Sequence, residues 1–261
     1  MTTLDFITEL FCRIDDQLTD VQKHSQASLY PSEVVTLAFL FVLKGTGTRA
    51  FYRWLDENWR KEFPALPHRT RLFRLFTTHH ALSTRFLADP TVLGVIDAYG
   101  VELIHPIREG RSPAQIGKKG ISNHRWIVGG KLCLLLNQWG LVVAWDCDTA
   151  NVPDTTFHPL IHAVAGQMIV LSDTGFHAKD GDPANIKLCR RGQWNVRMIV
   201  ETVLSMLTGV CHFKKMRHRV WDAFETHLAF GMAAFNFLVQ WHGFTPDKHG
   251  FIQLSLCEFS L

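Results

Sequence analysis

Two apolar runs in this chain each lead into an aspartate, and a carboxylate in that place can hold a metal ion. Residues 92–96 (Val-Leu-Gly-Val-Ile) precede Asp97, residues 168–172 (Met-Ile-Val-Leu-Ser) precede Asp173, and a glycine follows shortly after each acid. If both runs are buried strands, the two carboxylates lie at the carboxyl edge of a sheet, where open α/β sheets build their ligand sites. The sequence therefore predicts an acidic site at that edge.

A third acid, Glu201, is predicted to lie on a helix. Apolar side chains recur at helical spacing within residues 194–210, and Glu201 falls on the polar face together with Arg197. Three converging carboxylates repel one another, and divalent cations such as Mg²⁺ or Mn²⁺ relieve that repulsion. Two such ions about 4 Å apart clamp the attacking and leaving oxygens of a phosphodiester. The three acids are thus candidate metal ligands for phosphodiester chemistry.

Each acid also has a purely structural explanation. Asp97 or Asp173 can start a turn or cap a helix, and Glu201 can pair with Arg197 one helical turn earlier. For a single acid this is the simpler interpretation, whereas all three together favour a metal site.

Basic residues are concentrated in three segments. Residues 44–74 carry eight Lys and Arg against three acids, residues 105–131 carry six against one, and residues 212–219 carry four against none. Such clusters suit the phosphate backbone of a nucleic acid, although an amphipathic helix or a loop in contact with solvent has the same pattern. The candidate phosphate contacts are Arg69, Arg71, Arg74, Lys118, Lys119, Arg125, Lys131, Lys214, Lys215 and Arg217.

The elements that must position these residues change character near residue 90. Residues 1–88 show helical spacing and predict a small all-helical domain that binds DNA. Residues 89–261 begin with short apolar runs typical of strands. Strands are predicted at 92–96, 126–136, 141–145, 168–171 and 186–189, and helices at 153–165 and 194–210. This order predicts an α/β fold with an RNase H-like mixed sheet flanked by helices.

The composition is that of an ordinary globular protein. The 261 residues are 47% hydrophobic, enough for one substantial core and a smaller satellite domain. The formal net charge of +3 is too small to indicate a polyanionic partner by itself. The six cysteines form no C-x-x-C pair, no export signal is visible, and the apolar residues 228–241 are shorter than the roughly 20 residues that cross a bilayer. These features favour a cytoplasmic protein with free thiols.

Several ordered motifs resemble those of the DDE transposases of bacterial insertion sequences. They are Asp97, residues 126–132 (Trp-Ile-Val-Gly-Gly-Lys-Leu), residues 149–154 (Thr-Ala-Asn-Val-Pro-Asp), residues 171–176 (Leu-Ser-Asp-Thr-Gly-Phe), Arg197 with Glu201 four residues later, the basic residues 212–219, and a closing helix with Phe235 and Asn236. The match spans residues 92–240.

The resemblance implies hydrolysis of a phosphodiester at each end of a mobile element and transfer of the freed 3′-hydroxyl to target DNA. Asp97, Asp173 and Glu201 would bind two Mg²⁺ ions, with Mn²⁺ as a substitute, and Arg197 would contact the element end. The implied partners are double-stranded DNA, both terminal inverted repeats and target, and a second copy of the chain, because chemistry on paired ends needs at least a dimer. The implied location is the nucleoid in the bacterial cytoplasm.

Two positions depart from many relatives, which have Tyr three residues before the Arg and Lys seven residues after the Glu. Here these positions are Trp194 and Thr208. Trp194 can still stack on a base or sugar, but Thr208 supplies no cation, and Lys214 or Lys215 is the expected replacement.

Three other functions remain open. The chain could be a transposase-derived DNA-binding protein or repressor that no longer cuts, or an RNase H-like nuclease without strand transfer. Asp146 and Asp148, after an apolar run, also imitate the D-x-D nucleophile of haloacid-dehalogenase-like phosphatases, although Ala150 stands where that motif has Thr or Val.

Overall fold

The amino-terminal third of the chain is helical, as predicted. The computed structural model describes residues 2–122, 124–189, 197–213, 216 and 218–243, and only the backbone of Arg197 and Met198. The first helices are α1 (Thr3–Gln17), α2 (Pro31–Lys44), α3 (Thr48–Asn58) and α4 (Arg69–Thr78), followed by a 3-10 helix at His80–Phe86. Helix α3 ends five residues before the predicted end at residue 63.

Local capping accounts for the ends of the first two helices. The Thr2 hydroxyl accepts from the Asp5 N–H, and the Asp5 carboxylate accepts in return from the Thr2 N–H, at 3.2 and 2.9 Å. Pro31 occupies the first turn of α2, where its missing N–H has no cost. Gly45 ends α2 in the left-handed conformation at φ 58°, which an L side chain rarely adopts.

The second part of the chain forms a mixed six-stranded sheet with helices packed on it. The strands are β1 (Leu93–Ile104), β2 (Lys118–Ser122), β3 (Arg125–Asn137), β4 (Val142–Thr149), β5 (Ile169–Ser172) and β6 (Ile186–Leu188). β1 is central, antiparallel to β3 and parallel to β5, and β6 continues the sheet parallel to β5. β2 and β4 share the far edge of β3, where β2 pairs with residues 125–129 and β4 with residues 130–136. Helices α5 (His158–Ala163), α6 (Arg197–Gly209) and α7 (Trp221–His242) complete the described elements.

Two strand predictions were wrong in extent. β1 does not stop before Asp97 but continues to Ile104, because β3 offers it partners from Asn137 down to Val128. Residues 118–122, expected as a loop, form β2, since they pair with the start of β3. In both cases a neighbouring strand, and not the local apolar pattern, sets the length.

One hydrophobic core joins the helical part to the sheet. Side chains of α1, α2, α4 and α7 belong to the same buried cluster as Val95 of β1 and Leu171 of β5. A second cluster on the opposite face of the sheet contains Ile96, Val170 and the α5 residue Ile161. The change from helix to strand falls between residues 86 and 93, near the predicted domain boundary at residue 88, but the core continues across it.

A buried pair of histidines lies where α7 meets the helical part. His218 Nε2 is 3.1 Å from His227 Nδ1, and the His227 ring packs edge-on against Phe41 of α2. His227 Nε2 is buried and has no hydrogen-bond partner among the described residues. Burial lowers the pKa of His218 to about 4, and burial with the neighbouring His218 and His212 lowers the pKa of His227 as well. Both imidazoles are therefore neutral in the folded protein at neutral pH.

This pair makes stability fall in acid. An unfolded histidine binds a proton near pH 6.5, whereas folded His218 does so only near pH 4. The unfolded state therefore binds more protons below pH 6.5, and we expect a loss of about 3 kcal/mol from His218 as the pH falls from 6.5 to 4. Urea unfolding at pH 8, 6 and 5 measures this, with His218→Gln/His227→Leu as the comparison. An equal pH slope in the parent and this variant would contradict the assignment.

Neither thiols nor hydropathy add further structure. All described cysteines, which exclude Cys257, are free. Within the described ranges no single helix has both the length and the hydropathy needed to cross a membrane, and α2 with α3 reaches them only as a pair bent by 117°.

Candidate functional site

Asp97 and Asp173 lie at the same level on neighbouring parallel strands. Val95 of β1 pairs with Leu171 of β5, so two further residues along each chain bring Asp97 beside Asp173. Because side chains alternate along extended chain, both acids share the face of Val95 and Leu171, which belong to the larger core. Both side chains are half-buried. The predicted pairing of the two aspartates therefore holds, although Asp97 lies within its strand and Asp173 directly after its own.

Local hydrogen bonds hold these carboxylates. Asp97 Oδ1 accepts from the N–H of Ala98 at 2.8 Å, and Asp173 Oδ1 accepts from the N–H of Gly175 at 2.9 Å. The second bond makes Asp173 the cap of a 3-10 turn at Thr174–Phe176. Both acids thus have the turn-forming role that is the structural alternative, which does not exclude a second role because each carboxylate has a further oxygen.

Helix α6 lies over the same face of the sheet. Val200, Val203 and Leu207 are fully buried in the core that contains Val95, and α6 contacts β1. Glu201 is exposed on α6, as predicted from its place outside the apolar stripe. Among the described residues, no three His, Cys, Asp or Glu side chains are placed to hold one metal ion, so the carboxylate of Glu201 does not share a site with the two aspartates in this conformation.

A lysine–aspartate pair adjoins Asp173 and was not predicted. Lys131 Nζ on β3 lies 2.8 Å from Asp154 Oδ1 and donates to the Val152 carbonyl at 2.6 Å. A Cβ on Gly175 would lie 2.7 Å from Asp154 Oδ2 and 3.0 Å from Asp173 Oδ1, so only this glycine separates the two carboxylates. Asp154 lies in the segment 149–154 that carried the resemblance, and its proline-flanked position gave no sign of the distant Lys131.

The neighbourhood of these acids is electronegative. Burial raises the pKa of the Cys133 thiol on β3, and the charges of Asp154, Asp97 and Asp146 raise it further. Burial also raises the pKa of Asp146 on β4, and the charge of Asp148 adds to that rise. Acids from β1, β4 and the turn after β4 therefore act on one buried thiol, which favours a cation at this end of the sheet.

Removing Lys131 is expected to destabilise this cluster. Only 15% of the Lys131 and 27% of the Asp154 side chain is exposed, so Lys131→Met would leave a largely buried, unpaired carboxylate beside Asp173. We expect a loss of about 2 kcal/mol in urea unfolding with chelator present, less than for a fully buried pair. The double variant Lys131→Met/Asp154→Leu should lose less than the single one, because it leaves no unpaired charge. Additive losses in this double-mutant cycle would disprove the coupling.

The predicted phosphate contacts fall in different places. Lys131 is engaged by Asp154, as described above, and so is not exposed to a large ligand. Lys118 and Lys119 are on β2, where Lys119 pairs with Glu109 at 3.0 Å and lies over the Trp126 ring, and Arg125 is exposed at the start of β3. β2 pairs with residues 125–129 of β3, whereas Asp97 pairs with Leu134, so these three cations lie along the sheet from the acids and not next to them.

The arginines of α4 form a separate basic surface. Leu72 and Phe76 are buried in the core, while Arg71 and Arg74 are exposed and line a groove of about 460 Å³ with His68 and the two threonines Thr70 and Thr78. Arg69 is half-buried at the start of the helix. No carboxylate pairs with these three arginines in the described part of the chain.

Several predicted contacts cannot be placed. Trp194, Lys214, Lys215 and Arg217 lie outside the described residues, as does the side chain of Arg197. Thr208 is half-buried on α6.

The comparisons with known proteins give no relative. No protein-family model matches this chain, and no curated protein matches it.

Proposed function

We propose that this chain is a metal-dependent DNA transposase with an RNase H-like catalytic sheet. The observation that carries the proposal is the register of β1 and β5, which brings Asp97 and Asp173 to one level and one face of the sheet. The order of strands and helices after residue 90 supports it, since only the short strand β2 is added to the predicted order.

The two aspartates suit a hard divalent cation. Their carboxylate oxygens are half-exposed, and each acid spends one oxygen on a backbone N–H, which leaves the other for a ligand. Carboxylate oxygens are the donors that Mg²⁺ and Mn²⁺ prefer. Bound there, two such ions would polarise the phosphodiester and lower the pKa of an attacking water. The residues proposed to hold them are Asp97 and Asp173, with Glu201 completing one site.

Glu201 must approach the aspartates before it can share a metal with them. Its side chain is exposed, and α6 is anchored over the face of the aspartates by Val200 and Val203. A change of side-chain rotamer or a small shift of α6 when DNA binds would bring it closer, because long exposed side chains exchange rotamers readily. Arg197, one turn earlier on α6, is proposed to contact the element end.

The DNA is proposed to run from the acidic site to the groove on α4. Arg71 and Arg74 have no acidic partner among the described residues and present guanidinium groups suited to phosphate oxygens. Double-stranded DNA with terminal inverted repeats is the proposed substrate, and a homodimer on paired ends, in the bacterial cytoplasm, is the proposed working form.

The phosphatase alternative gains no support from the position of its motif. Asp146 and Asp148 lie on β4, which pairs antiparallel with β3 at the edge of the sheet, and each carboxylate accepts from the next backbone N–H. A nucleophile at the carboxyl end of a parallel strand would need a different place in the sheet.

The test uses duplexes that end in the inverted repeats flanking the gene. Purified protein is incubated with end-labelled DNA and Mg²⁺, Mn²⁺ or chelator, and products are separated on denaturing gels. Metal-dependent cleavage at the repeat boundary, together with joined products, supports a transposase. Cleavage without joining supports a nuclease, and tight binding without cleavage in either metal supports a DNA-binding protein that no longer cuts.

A further inference from the structure

A large cleft lies at the far end of β1, away from the acids. Three separate stretches of chain form it: the end of β1 from Glu102 to Ile104, the connection to β2, and residues 216–219 before α7. Its volume is about 850 Å³. No residue of the proposed metal site or of the α4 groove lines it.

The cleft is basic. Arg108, Arg111 and Arg219 line it and are exposed, and none of them has an ion-pair partner among the residues described. Glu102 is the one acid in its lining, and the nearby Glu109 is engaged by Lys119. Three guanidinium groups around one cleft repel each other, and a bound polyanion relieves that repulsion.

The arginines stand on a folded connection. Gln115 accepts from the Gly110 N–H at 2.7 Å and donates to the Gly117 carbonyl at 3.4 Å, which ties the connection across its width. Ile116 is buried in the main core, and residues 106–108 form a 3-10 turn capped by the His105 ring. The positions of Arg108 and Arg111 are therefore set before a ligand arrives.

The distance from the acids fits one DNA duplex. Glu102 follows Asp97 by five residues on the same strand, which at about 3.3 Å per residue places the cleft about 17 Å away. That span equals about five base pairs at 3.4 Å per pair. A duplex lying along β1 with a phosphate at the acids thus brings its backbone to the cleft.

We propose that this cleft binds the sugar–phosphate backbone of double-stranded DNA about five base pairs from the scissile phosphate. The location relative to the cut rests on the proposed function, whereas backbone binding by itself does not. A guanidinium fork holds two phosphate oxygens at once, which a small anion shared by three exposed arginines would not need. The open shape and exposed arginines favour a long polyanion over a small buried ligand.

The test removes the three arginines together. Arg108→Ala/Arg111→Ala/Arg219→Ala is compared with the parent and with Arg13→Ala/Lys23→Ala/Arg85→Ala, which removes the same charge from the helical part, away from the cleft. Duplex binding is measured in chelator from 50 to 200 mM salt. Each lost phosphate contact lowers the slope of log affinity against log salt by about 0.9, so the cleft variant should lose about 2.7 and bind about two orders of magnitude more weakly at 0.1 M salt. Matching thermal unfolding curves show that the variant is folded.

Hydroxyl-radical footprinting places the contact. Protection about five base pairs from the cleavage site should be present for the parent and lost for the cleft variant. An unchanged salt slope, in a parent that binds and cuts, would overturn the cleft and leave the transposase proposal standing. A lowered slope in a protein that never cuts would support the cleft and remove the transposase. Competition by polyglutamate as strong as that by duplex DNA would overturn the assignment to DNA, because an acidic protein surface would then fit equally well.

Discussion

Asp173→Asn is expected to abolish Mg²⁺-dependent cleavage while DNA binding is retained. Asparagine has the same shape and still offers an oxygen to the Gly175 N–H, so the turn at Thr174–Phe176 should stay intact. What is lost is the negative charge that would hold a metal beside Asp97. A metal that stabilises the transition state by about 4 kcal/mol makes this a loss of about a thousandfold in cleavage rate.

The matched control is Asp180→Asn. Asp180 is an exposed acid in the connection that follows the same turn. Its replacement should leave the cleavage rate within about twofold of the parent, since exposed substitutions away from a site have small effects. Single-turnover rates on the repeat-end duplex with Mg²⁺ decide between the two. Cleavage by Asp173→Asn at the parent rate would remove Asp173 from the proposed metal site, and Asp97→Asn would then show whether the other aspartate acts alone.

Asn236→Leu is expected to cause the largest loss of stability by a single substitution. Asn236 on α7 is fully buried; its Oδ1 accepts from the Val142 N–H at 2.8 Å. Its Nδ2 donates to the carbonyls of Phe86 and Val142, at 3.0 and 2.8 Å. One amide thus ties α7 to the end of the helical part and to the start of β4.

Leucine would leave two of these backbone groups facing an apolar side chain. The Val142 carbonyl keeps the bond from the Ala88 N–H, but the Val142 N–H and the Phe86 carbonyl lose the partner that Asn236 gave them. Each unsatisfied buried group costs about 1–3 kcal/mol, so we expect a loss of about 4 kcal/mol and a Tm about 10 °C lower. Urea and thermal unfolding measure both.

Gln240→Leu, on an exposed position of the same helix, is the control and should change the free energy of unfolding by less than about 0.5 kcal/mol. Asn236→Asp, which keeps an acceptor for Val142 but donates nothing, should also be destabilising. A wild-type Tm for Asn236→Leu would mean that the amide does not join these elements.

The fold of the first ninety residues followed from local signals. The apolar spacing of residues 4–14 and 31–43, with Pro31 at the start of α2 and Gly45 after it, fixed two helices close to their ends. The outward position of Glu201 on α6 followed from the same 3.6-residue period. These features depend on residues within a few positions of one another, so they can be read from the sequence.

The candidate site was predictable in part. The end of β5 before Asp173 was predicted correctly, because Ser172, Asp173 and Gly175 form a local turn. The end of β1 was not, because residues 98–104 have no apolar run and become a strand only through pairing with β3. The level at which Asp97 meets Asp173 is likewise a matter of register between strands about seventy residues apart.

The sequence by itself thus determined the helices, the order of the main strands, and the acids that candidate metal chemistry would use. The tertiary structure alone decided three things: the pairing of Lys131 with Asp154, the bonds from Asn236 to Phe86 and Val142, and the meeting of Arg108, Arg111 and Arg219 around one cleft. The physical reason is that periodicity and capping act between near neighbours, whereas a contact between residues far apart in the chain exists only once packing of the whole core has fixed their separation.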